Sequence, residues 1–258
     1  MGKYQSKTPD DKGFVHFTEE ENETWNILMT RQLKIIENRA CDEFMHGIDI
    51  LKMPVDRVPQ CGEISKALQA ATGWGVAPVP ALIPVSEFFT LLSNKRFPAA
   101  TFIRVREELD YIQEPDIFHE YFGHCPLLAN QAYADYVEWY GKMALTADPK
   151  SRPLLARLFW FTIEFGLIKN DDEFRVYGGG ILSSKEETVY SVESDVPKRR
   201  PLTVMDALRT PYRYDIIQPL YYYIEKFEDL YHLMDHDLIS CVEEAVKAGE
   251  FVPEFVTC

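Results

Sequence analysis

Two histidines lie five positions apart in residues 115–128, and their spacing is the feature that most constrains the local fold. On an ideal helix of about 3.6 residues per turn, His119 and His124 lie roughly 140° apart and face different directions. Both imidazoles can face one metal ion only if the helix ends or distorts between them. Gly123 permits unusual backbone dihedrals, and Pro126 restricts the residue before it. We therefore predict that His119 lies on a helix and His124 at its frayed end.

An apolar stretch farther along the chain carries a single carboxylate, Glu164. Pro153 suits a first helical position, and the side chains from Leu154 to Ile168 are apolar nearly all round, which predicts a central buried helix. A carboxylate buried there must be paired, protonated or bound to a metal ion. Arg157 is the one cation inside the stretch, so a core ion pair is the alternative to metal ligation. Two histidines and one carboxylate are the ligands of non-haem Fe(II) oxygenases, so we predict that Glu164 joins the histidines around iron.

The charge balance restricts the partners of the chain. The 27 basic and 41 acidic residues give a net charge of −14, which argues against nucleic acid or an anionic membrane as a partner. The sequence has no apolar run of membrane-spanning length, and its first residues lack the apolar core of a signal peptide. Its five cysteines are irregularly spaced and predict neither a disulfide framework nor a Cys-rich metal site. We expect a reducing, cytoplasmic setting.

Hydrophobic periodicity predicts a mainly α-helical fold with small β ribbons. Thr18 and Glu21 form a capping-box signal before a helical stripe, and Asn130 can cap another helix. The 258 residues contain no linker, low-complexity tract or internal repeat, so we predict one domain that spans residues 1–258. Further helices are expected at residues 64–71, 203–208 and 223–246, and strands at residues 100–105, 174–177 and 188–192.

Four blocks of sequence resemble the pterin-dependent aromatic amino acid hydroxylases, and their bacterial phenylalanine-specific branch in particular. The first two are EPDIFHEYFGHCPLL at residues 114–128 and WFTIEFGL at residues 160–167. They are followed in the same order by YGGGILSS at residues 177–184 and QPLYY at residues 218–222. The resemblance implies the catalytic-domain fold of that family, as a single catalytic domain without the regulatory domain or oligomerisation helix of its larger members.

The resemblance also implies an activity. It points to an iron- and tetrahydropterin-dependent monooxygenase that converts L-phenylalanine and O2 to L-tyrosine in phenylalanine catabolism. The implied ligands of Fe(II) are His119, His124 and Glu164. Tetrahydrobiopterin or another tetrahydropterin is implied as the cosubstrate that supplies electrons. We expect a monomer or homodimer with no nucleic-acid or membrane partner.

The family's functional residues carry over position by position. Arg104 is implied to bind the substrate carboxylate through its planar fork, and Asp116 to orient Arg104. Ser183 is implied to lie near the substrate, and its neighbour Ser184 to support a metal-ligating histidine. The other implied substrate contacts are Trp160, Phe165 and Gly180. The implied pterin contacts are Leu82, Ile83, Phe88, Glu120 and Phe159.

Three other functions remain open at this level. The same chemistry could act on L-tryptophan or L-tyrosine, although Trp160 is typical of the branches that take phenylalanine or tyrosine. The chain could instead be a non-catalytic metal-binding protein. A zinc peptidase uses the shorter H-E-x-x-H spacing, so the extra residue between the histidines argues against that chemistry.

Overall fold

Helices make up most of the chain, and short strands form two small sheets. The structure is a computed structural model that describes residue 4, residues 6–80 and residues 83–255. The fold class predicted from periodicity, mainly α with small β ribbons, is confirmed. No helix in this part of the chain is both long and apolar enough to cross a lipid bilayer. Its α-helices are α1 (Glu19–Ile36), α2 (Asp42–Leu51), α3 (Cys61–Ala71), α4 (Val85–Ser93), α5 (Gln131–Thr146), α6 (Arg152–Phe159), α7 (Gly179–Leu182), α8 (Lys185–Glu193), α9 (Val204–Arg209), α10 (Asp229–Met234) and α11 (Leu238–Ala248).

The strands pair in two separate sheets. In the first sheet, β1 (Gly75–Val79) and β2 (Arg96–Ala100) run parallel and are connected through α4. The second sheet has the order β4-β3-β6-β5, with β3 at Gly166–Asn170, β4 at Glu173–Val176, β5 at Lys198–Pro201 and β6 at Leu220–Ile224. β3 and β4 are antiparallel, whereas β6 runs parallel to both β3 and β5. Because β6 lies beside β3, this sheet holds the segment before β6 close to the segment that ends at Glu164.

Side-chain caps begin helices that the sequence predicts. The Thr18 hydroxyl accepts the backbone N–H of Glu21, and the Glu21 carboxylate accepts that of Thr18, so the capping box at the start of α1 is confirmed. Asn130 and Thr203 each accept a backbone N–H in the first turn of α5 and α9. Each cap therefore satisfies a backbone donor that has no partner inside its own helix.

Three predicted elements are wrong. Residues 188–192, predicted as a strand, form part of α8, because Ser184 caps that helix and begins it just upstream. Residues 100–105, predicted as a strand, mostly lie beyond β2, whose pairing with β1 ends at Ala100. Residues 223–246, predicted as one helix, begin in β6 and continue in α10 and α11, because pairing with β3 and β5 overrides the local helical pattern.

Aromatic packing anchors the segment that carries the two histidines. Buried hydrophobic side chains form one contiguous core cluster, which includes Trp25, Phe118 and Phe122. Phe118 meets Trp25 of α1 edge to face, with ring centroids 5.6 Å apart, and stacks on Phe122 at 4.9 Å. The backbone around the histidines is therefore held by contacts with α1 and the core.

Candidate active site

The two segments that carry the predicted metal ligands are π-helical, at His119–His124 and Trp160–Glu164. In each, a backbone N–H donates to the carbonyl five residues earlier: from Cys125 to Glu120 at 3.3 Å in the first, and from Phe165 at 2.8 Å in the second. Because these bonds span five residues instead of four, side chains five positions apart come close together. The two histidines therefore share one face, and the predicted distortion of the helix is confirmed.

Two details of the predicted helices need correction. His124 lies inside the π-helical turn and not at a frayed end. The helix predicted for residues 154–168 is also too long, since α6 ends at Phe159, the π-helical turn follows, and β3 begins at Gly166. The physical reason is the pairing of β3 with β6, which draws the chain out of the helix directly after Glu164.

Ligand atoms of three side chains converge from these turns. Nε2 of His119 and Nε2 of His124 are 3.0 Å apart. Oε2 of Glu164 lies 3.7 Å from Nε2 of His119, and Oε1 lies 3.3 Å from Nε2 of His124. Ligand atoms that are about 2.1 Å from one ion and at right angles to each other lie about 3 Å apart. The three side chains therefore fit a metal ion bound on one face, and this donor set suits Fe(II).

The charges of these groups favour a cation at the same place. Burial alone would raise the pKa of Glu164, but His124 and His119 hold that pKa well below its usual value. Burial would lower the pKa of His119, yet the charge of Glu164 raises it to about 9. Burial lowers the pKa of His124. The negative charge of Glu164 beside the two imidazoles therefore favours a cation at this place.

A second carboxylate, Glu120, lies next to the ligands. One of its oxygens lies within 4.8 Å of a ring nitrogen of both His119 and His124. Burial outweighs the attraction of His119 and raises the pKa of Glu120 to about 8. Glu164 presents one oxygen to each histidine, at 3.7 Å from Nε2 of His119 and 3.3 Å from Nε2 of His124, and is therefore the better-placed third ligand.

Neighbouring side chains orient the two imidazoles. Oγ of Ser183 lies 2.9 Å from Nδ1 of His119, which leaves Nε2 of His119 to face the site. The ring of Phe97 in β2 stacks on His124, with centroids 4.9 Å apart. A Cβ on Gly179 would lie 2.4 Å from both Cε1 and Nδ1 of His124, so the imidazole needs a glycine at this position.

The support expected from Ser184 comes from Ser183 instead. Ser183 follows α7, and its hydroxyl contacts His119. Ser184 begins α8, where its hydroxyl accepts the backbone N–H of Glu187 at 3.3 Å. The two adjacent serines therefore have different tasks, because one ends a helix and the other begins the next.

A cavity of about 500 Å³ lies beside the ligand atoms. His119 and Glu164 form part of its wall, so a molecule in this cavity would lie next to a metal ion held by them. Six residues predicted to contact the substrate also line it, namely Arg104, Trp160, Phe165, Gly180, Ser183 and Ser184. The seventh, Asp116, is completely buried and lies outside the cavity wall.

Asp116 holds the guanidinium of Arg104. Nε and Nη2 of Arg104 donate to the two carboxylate oxygens at 2.8 Å each, and the Arg104 backbone N–H donates at 3.0 Å. Burial would raise the pKa of Asp116, but the charge of Arg104 holds it below its usual value. Nη1 of Arg104 has no hydrogen-bond partner among the described residues, so it is available to a carboxylate in the cavity.

Trp160 is held between two other aromatic rings. Its centroid is 4.3 Å from that of Phe165 and 4.3 Å from that of Tyr212, at interplanar angles of 26° and 18°. Two nearly parallel rings cannot both lie at that distance on the same face without overlapping, so they cover the two faces of the indole. Trp160 therefore presents an edge to the cavity.

The residues predicted to contact a pterin are only partly brought together. Phe88 and Phe159 meet edge to face, with centroids 5.5 Å apart, and both rings are half-buried. Ile83, just before α4, is also half-buried, whereas Leu82 lies outside the described residues. The half-buried ring of Phe88 fits the stacking role implied for it, because part of its surface stays exposed for a flat ligand.

Comparison with known proteins identifies the family of this chain. A family profile described as biopterin-dependent aromatic amino acid hydroxylase matches residues 3–241. The chain belongs to this family. The hydroxylase is 54% identical over 252 residues to the phenylalanine-4-hydroxylase of Pseudomonas aeruginosa, an alignment that covers 98% of this chain and 96% of the relative.

Solved structures match the hydroxylase in fold. The apo structure of the cold-active phenylalanine hydroxylase from Colwellia psychrerythraea 34H has a TM-score of 0.95 at 51% identity, and the match covers 97% of each chain. The phenylalanine hydroxylase from Chromobacterium violaceum, solved bound to cobalt and with bound oxidised Fe(III), has a TM-score of 0.89 at 41% identity. That match covers 95% of this chain and 91% of the other. The predicted catalytic-domain fold is therefore confirmed.

Several residues that shape the hydroxylase site were missed at the level of sequence. Phe97 is distant from the histidine motif along the chain, and its ring reaches His124 from β2. Gly179 belongs to the quoted YGGGILSS block, where the run of glycines was the available signal. Tyr212 and Gln218 contact Trp160. Gln218 was part of the QPLYY block, but its partners are set by the second sheet.

Proposed function

We propose that the hydroxylase is a phenylalanine 4-monooxygenase that converts L-phenylalanine and O2 to L-tyrosine, with Fe(II) and a tetrahydropterin. One observation carries the proposal. A single cavity is lined by two of the predicted metal ligands, His119 and Glu164, together with Arg104 and Trp160. The relatives described above are all named as phenylalanine hydroxylases, which supports the choice of substrate.

His119, His124 and Glu164 would hold the iron on one face. When bound, the iron and the tetrahydropterin supply the activated oxygen atom and the electrons that hydroxylation of an aromatic ring requires. The protein keeps the ligands in place. A Cβ on Gly180 would lie 2.8 Å from Oε2 of Glu164, so the glycine leaves room for the carboxylate to face the histidines.

Arg104 would anchor the carboxylate of the amino acid. Asp116 occupies Nε and Nη2 of the fork, which leaves Nη1 to donate a charge-assisted hydrogen bond to the substrate. With its carboxylate held there, the aromatic ring would lie in the cavity that His119 and Glu164 also line. Productive chemistry needs the reacting atoms held within about 3–3.5 Å, and the anchor would limit the positions open to the ring.

A tetrahydropterin would stack on Phe88. Phe159 supports that ring edge to face, which keeps Phe88 in one orientation on α4. Glu120, the carboxylate next to the first histidine, would face the pterin from the iron side.

We also propose a cytoplasmic location and a monomeric or homodimeric state. Cys41, Cys61, Cys125 and Cys241 are free thiols, as expected of a protein in a reducing compartment. The net charge of −14 supports the absence of a nucleic-acid partner.

The decisive experiment is product analysis with purified, metal-free protein. Reconstitution with Fe(II), O2 and a tetrahydropterin should yield L-tyrosine from L-phenylalanine, and omission of either Fe(II) or the pterin should abolish product. L-tryptophan and L-tyrosine are offered in parallel. If L-tryptophan or L-tyrosine were turned over faster, that amino acid and not L-phenylalanine would be the substrate. If the protein bound the metal but formed no product from any of the three amino acids, it would be a non-catalytic metal-binding protein.

A further inference from the structure

Gln218 is nearly completely buried, at 2% exposure, and each of its polar side-chain atoms has a partner. Its Nε2 donates to the carbonyl of Arg213 and to that of Ile216, at 2.8 Å each. Its Oε1 accepts the indole N–H of Trp160 at 3.2 Å. The two amide hydrogens are thus assigned to two carbonyls, so the amide has one orientation, with its oxygen toward the indole.

The backbone of Gln218 is anchored on α8. Its N–H donates to Oε1 of Glu187 at 3.0 Å, and the hydroxyl of Tyr221 donates to the same oxygen. Glu187 is also nearly completely buried and is part of the cavity wall. The carboxylate therefore ties the start of the QPLYY block to the helix that follows the YGGGILSS block.

The segment that Gln218 holds forms another part of the cavity wall. Tyr214, Asp215, Ile216 and Ile217 all line the cavity, and they lie between the two carbonyls that accept from Nε2 or next to them. Tyr212, just before them, covers one face of Trp160. One amide group therefore connects the indole to the backbone of the segment that faces the substrate.

We propose that Gln218 is a positioning residue for hydroxylation, which fixes the edge of Trp160 and the wall segment 214–217 in one arrangement and thereby sets where the substrate ring lies. The proposal rests on the proposed function for its kinetic consequences. This role depends on the amide group of Gln218. A leucine would fill the same space but leave the indole N–H and two carbonyls without their partner, and a buried group without a partner is costly.

The first test is kinetic and compares Gln218→Leu with the wild type. We expect a KM for L-phenylalanine raised about tenfold, as for the loss of one to two net hydrogen bonds. We also expect less tyrosine formed per tetrahydropterin consumed, because a loosely held ring is out of reach when oxygen is activated. Iron content and the KM for the tetrahydropterin should stay as in the wild type. If Gln218→Leu does not fold, Gln218→Asn takes its place. Its side chain is one methylene shorter, so its amide cannot reach the indole, and it should change the KM and the coupling ratio in the same directions.

The matched control is Thr210→Val. The Thr210 hydroxyl lies 2.8 Å from the hydroxyl of Tyr222, is buried, and belongs to the same region of the fold, but neither residue lines the cavity. This variant also removes a buried hydrogen bond, so it should lower stability while leaving the coupling ratio and the KM for L-phenylalanine unchanged. Equal kinetic losses in the control would mean that Gln218 acts only through general stability and would overturn the proposal.

A second readout does not depend on turnover. In metal-free protein labelled with 5-fluorotryptophan, the fluorine resonance of Trp160 can be assigned from Trp160→Phe. Gln218→Leu should shift or broaden that resonance and leave those of Trp25, Trp74 and Trp139 in place. An unchanged Trp160 resonance together with an unchanged coupling ratio would refute the positioning role. A wild type that makes no tyrosine would instead refute the proposed function, and the fluorine spectrum would still decide whether Gln218 holds the indole.

Discussion

Asp116 binds Arg104 along one edge of its guanidinium, where Nε and Nη2 each donate a hydrogen bond of 2.8 Å to the carboxylate. The carboxylate is completely buried, and the arginine is 5% exposed, so the pair is sequestered from water. Breaking a buried ion pair leaves an uncompensated charge, which makes this contact costly to disturb. This contact leaves Nη1 of Arg104 to donate a hydrogen bond to the carboxylate of an amino acid in the cavity. Substrate affinity and local stability are therefore linked at Arg104.

Arg104→Lys keeps the charge but loses the planar fork, which a lysine cannot replace at a bidentate site. We expect the KM for L-phenylalanine to rise about tenfold or more, in line with the loss of one charge-assisted hydrogen bond. Iron content should be unchanged, because Arg104 contacts none of the three predicted ligands directly. Steady-state kinetics give the KM for L-phenylalanine, and metal analysis gives the iron content. A KM close to that of the wild type would show that Arg104 does not anchor the substrate carboxylate.

Glu164→Gln should strongly weaken iron binding and turnover, since an amide oxygen cannot supply the negative charge that the iron site needs. We expect the affinity for Fe(II) to fall at least about tenfold. Loss of a residue that only hydrogen-bonds to a metal ligand already lowers metal affinity by about 10–100-fold. Glu120→Gln is the matched control, because Glu120 also lies within 4.8 Å of ligand nitrogens. Titration of metal-free protein gives both affinities. If Glu120→Gln lost iron and Glu164→Gln kept it, the third ligand would be Glu120.

Gly179→Ala should impair metal binding through His124. The added methyl group would lie 2.4 Å from two atoms of the imidazole, so the ring must move away from the other ligands. Gly62→Ala is the control, since Gly62 lies in the first turn of α3 and nothing lies within 4 Å of a Cβ placed on it. Calorimetric binding of a divalent metal should be weaker for Gly179→Ala alone, with circular dichroism of wild-type shape. Equal affinities would show that the imidazole can shift without loss.

Trp160→Ala should lower the amount of tyrosine formed per tetrahydropterin consumed and the affinity for L-phenylalanine. The indole edge forms part of the cavity wall, and its removal lets the substrate ring leave the reactive position. The indole is half-buried, so the loss of stability should stay below the about 3–5 kcal/mol typical of a fully buried tryptophan. The tyrosine-to-pterin ratio is measured on folded variant with normal iron content. A wild-type ratio would place Trp160 in the core and not in the substrate wall.

Glu187→Gln should change how stability depends on pH. Burial raises the pKa of Glu187 above its usual value of 4.5. A group whose folded pKa is raised stabilises the fold below its unfolded pKa, and this contribution is lost as the pH rises through the folded pKa. Glutamine does not ionise, so the free energy of unfolding of the variant relative to the wild type should increase as the pH rises above about 4.5. Urea denaturation of metal-free protein near about pH 5 and about pH 8 measures this difference, and a constant difference would contradict the prediction.

Much of the metal site could be predicted from the order and type of residues alone. The histidine pair and the lone carboxylate in an apolar stretch predicted the ligand set, because few other roles satisfy a buried carboxylate. The helix starts at Thr18, Asn130 and Thr203 were also readable, since a cap depends on residues within one turn. The strand at residues 188–192 was misread because its β-branched residues favour strands locally, while the cap at Ser184 begins a helix.

By itself, the sequence determined which side chains are available for iron and for the amino acid, and that a regular helix could not present both histidines to one ion. Only the tertiary structure decided how this was resolved, by π-helical turns at both ligand segments. It also decided that Phe97 supports His124 and that Tyr212 and Gln218 hold Trp160. These contacts join residues far apart in the chain, and they depend on how distant segments pack and pair, as β3 does with β6, which the residues within one segment do not specify.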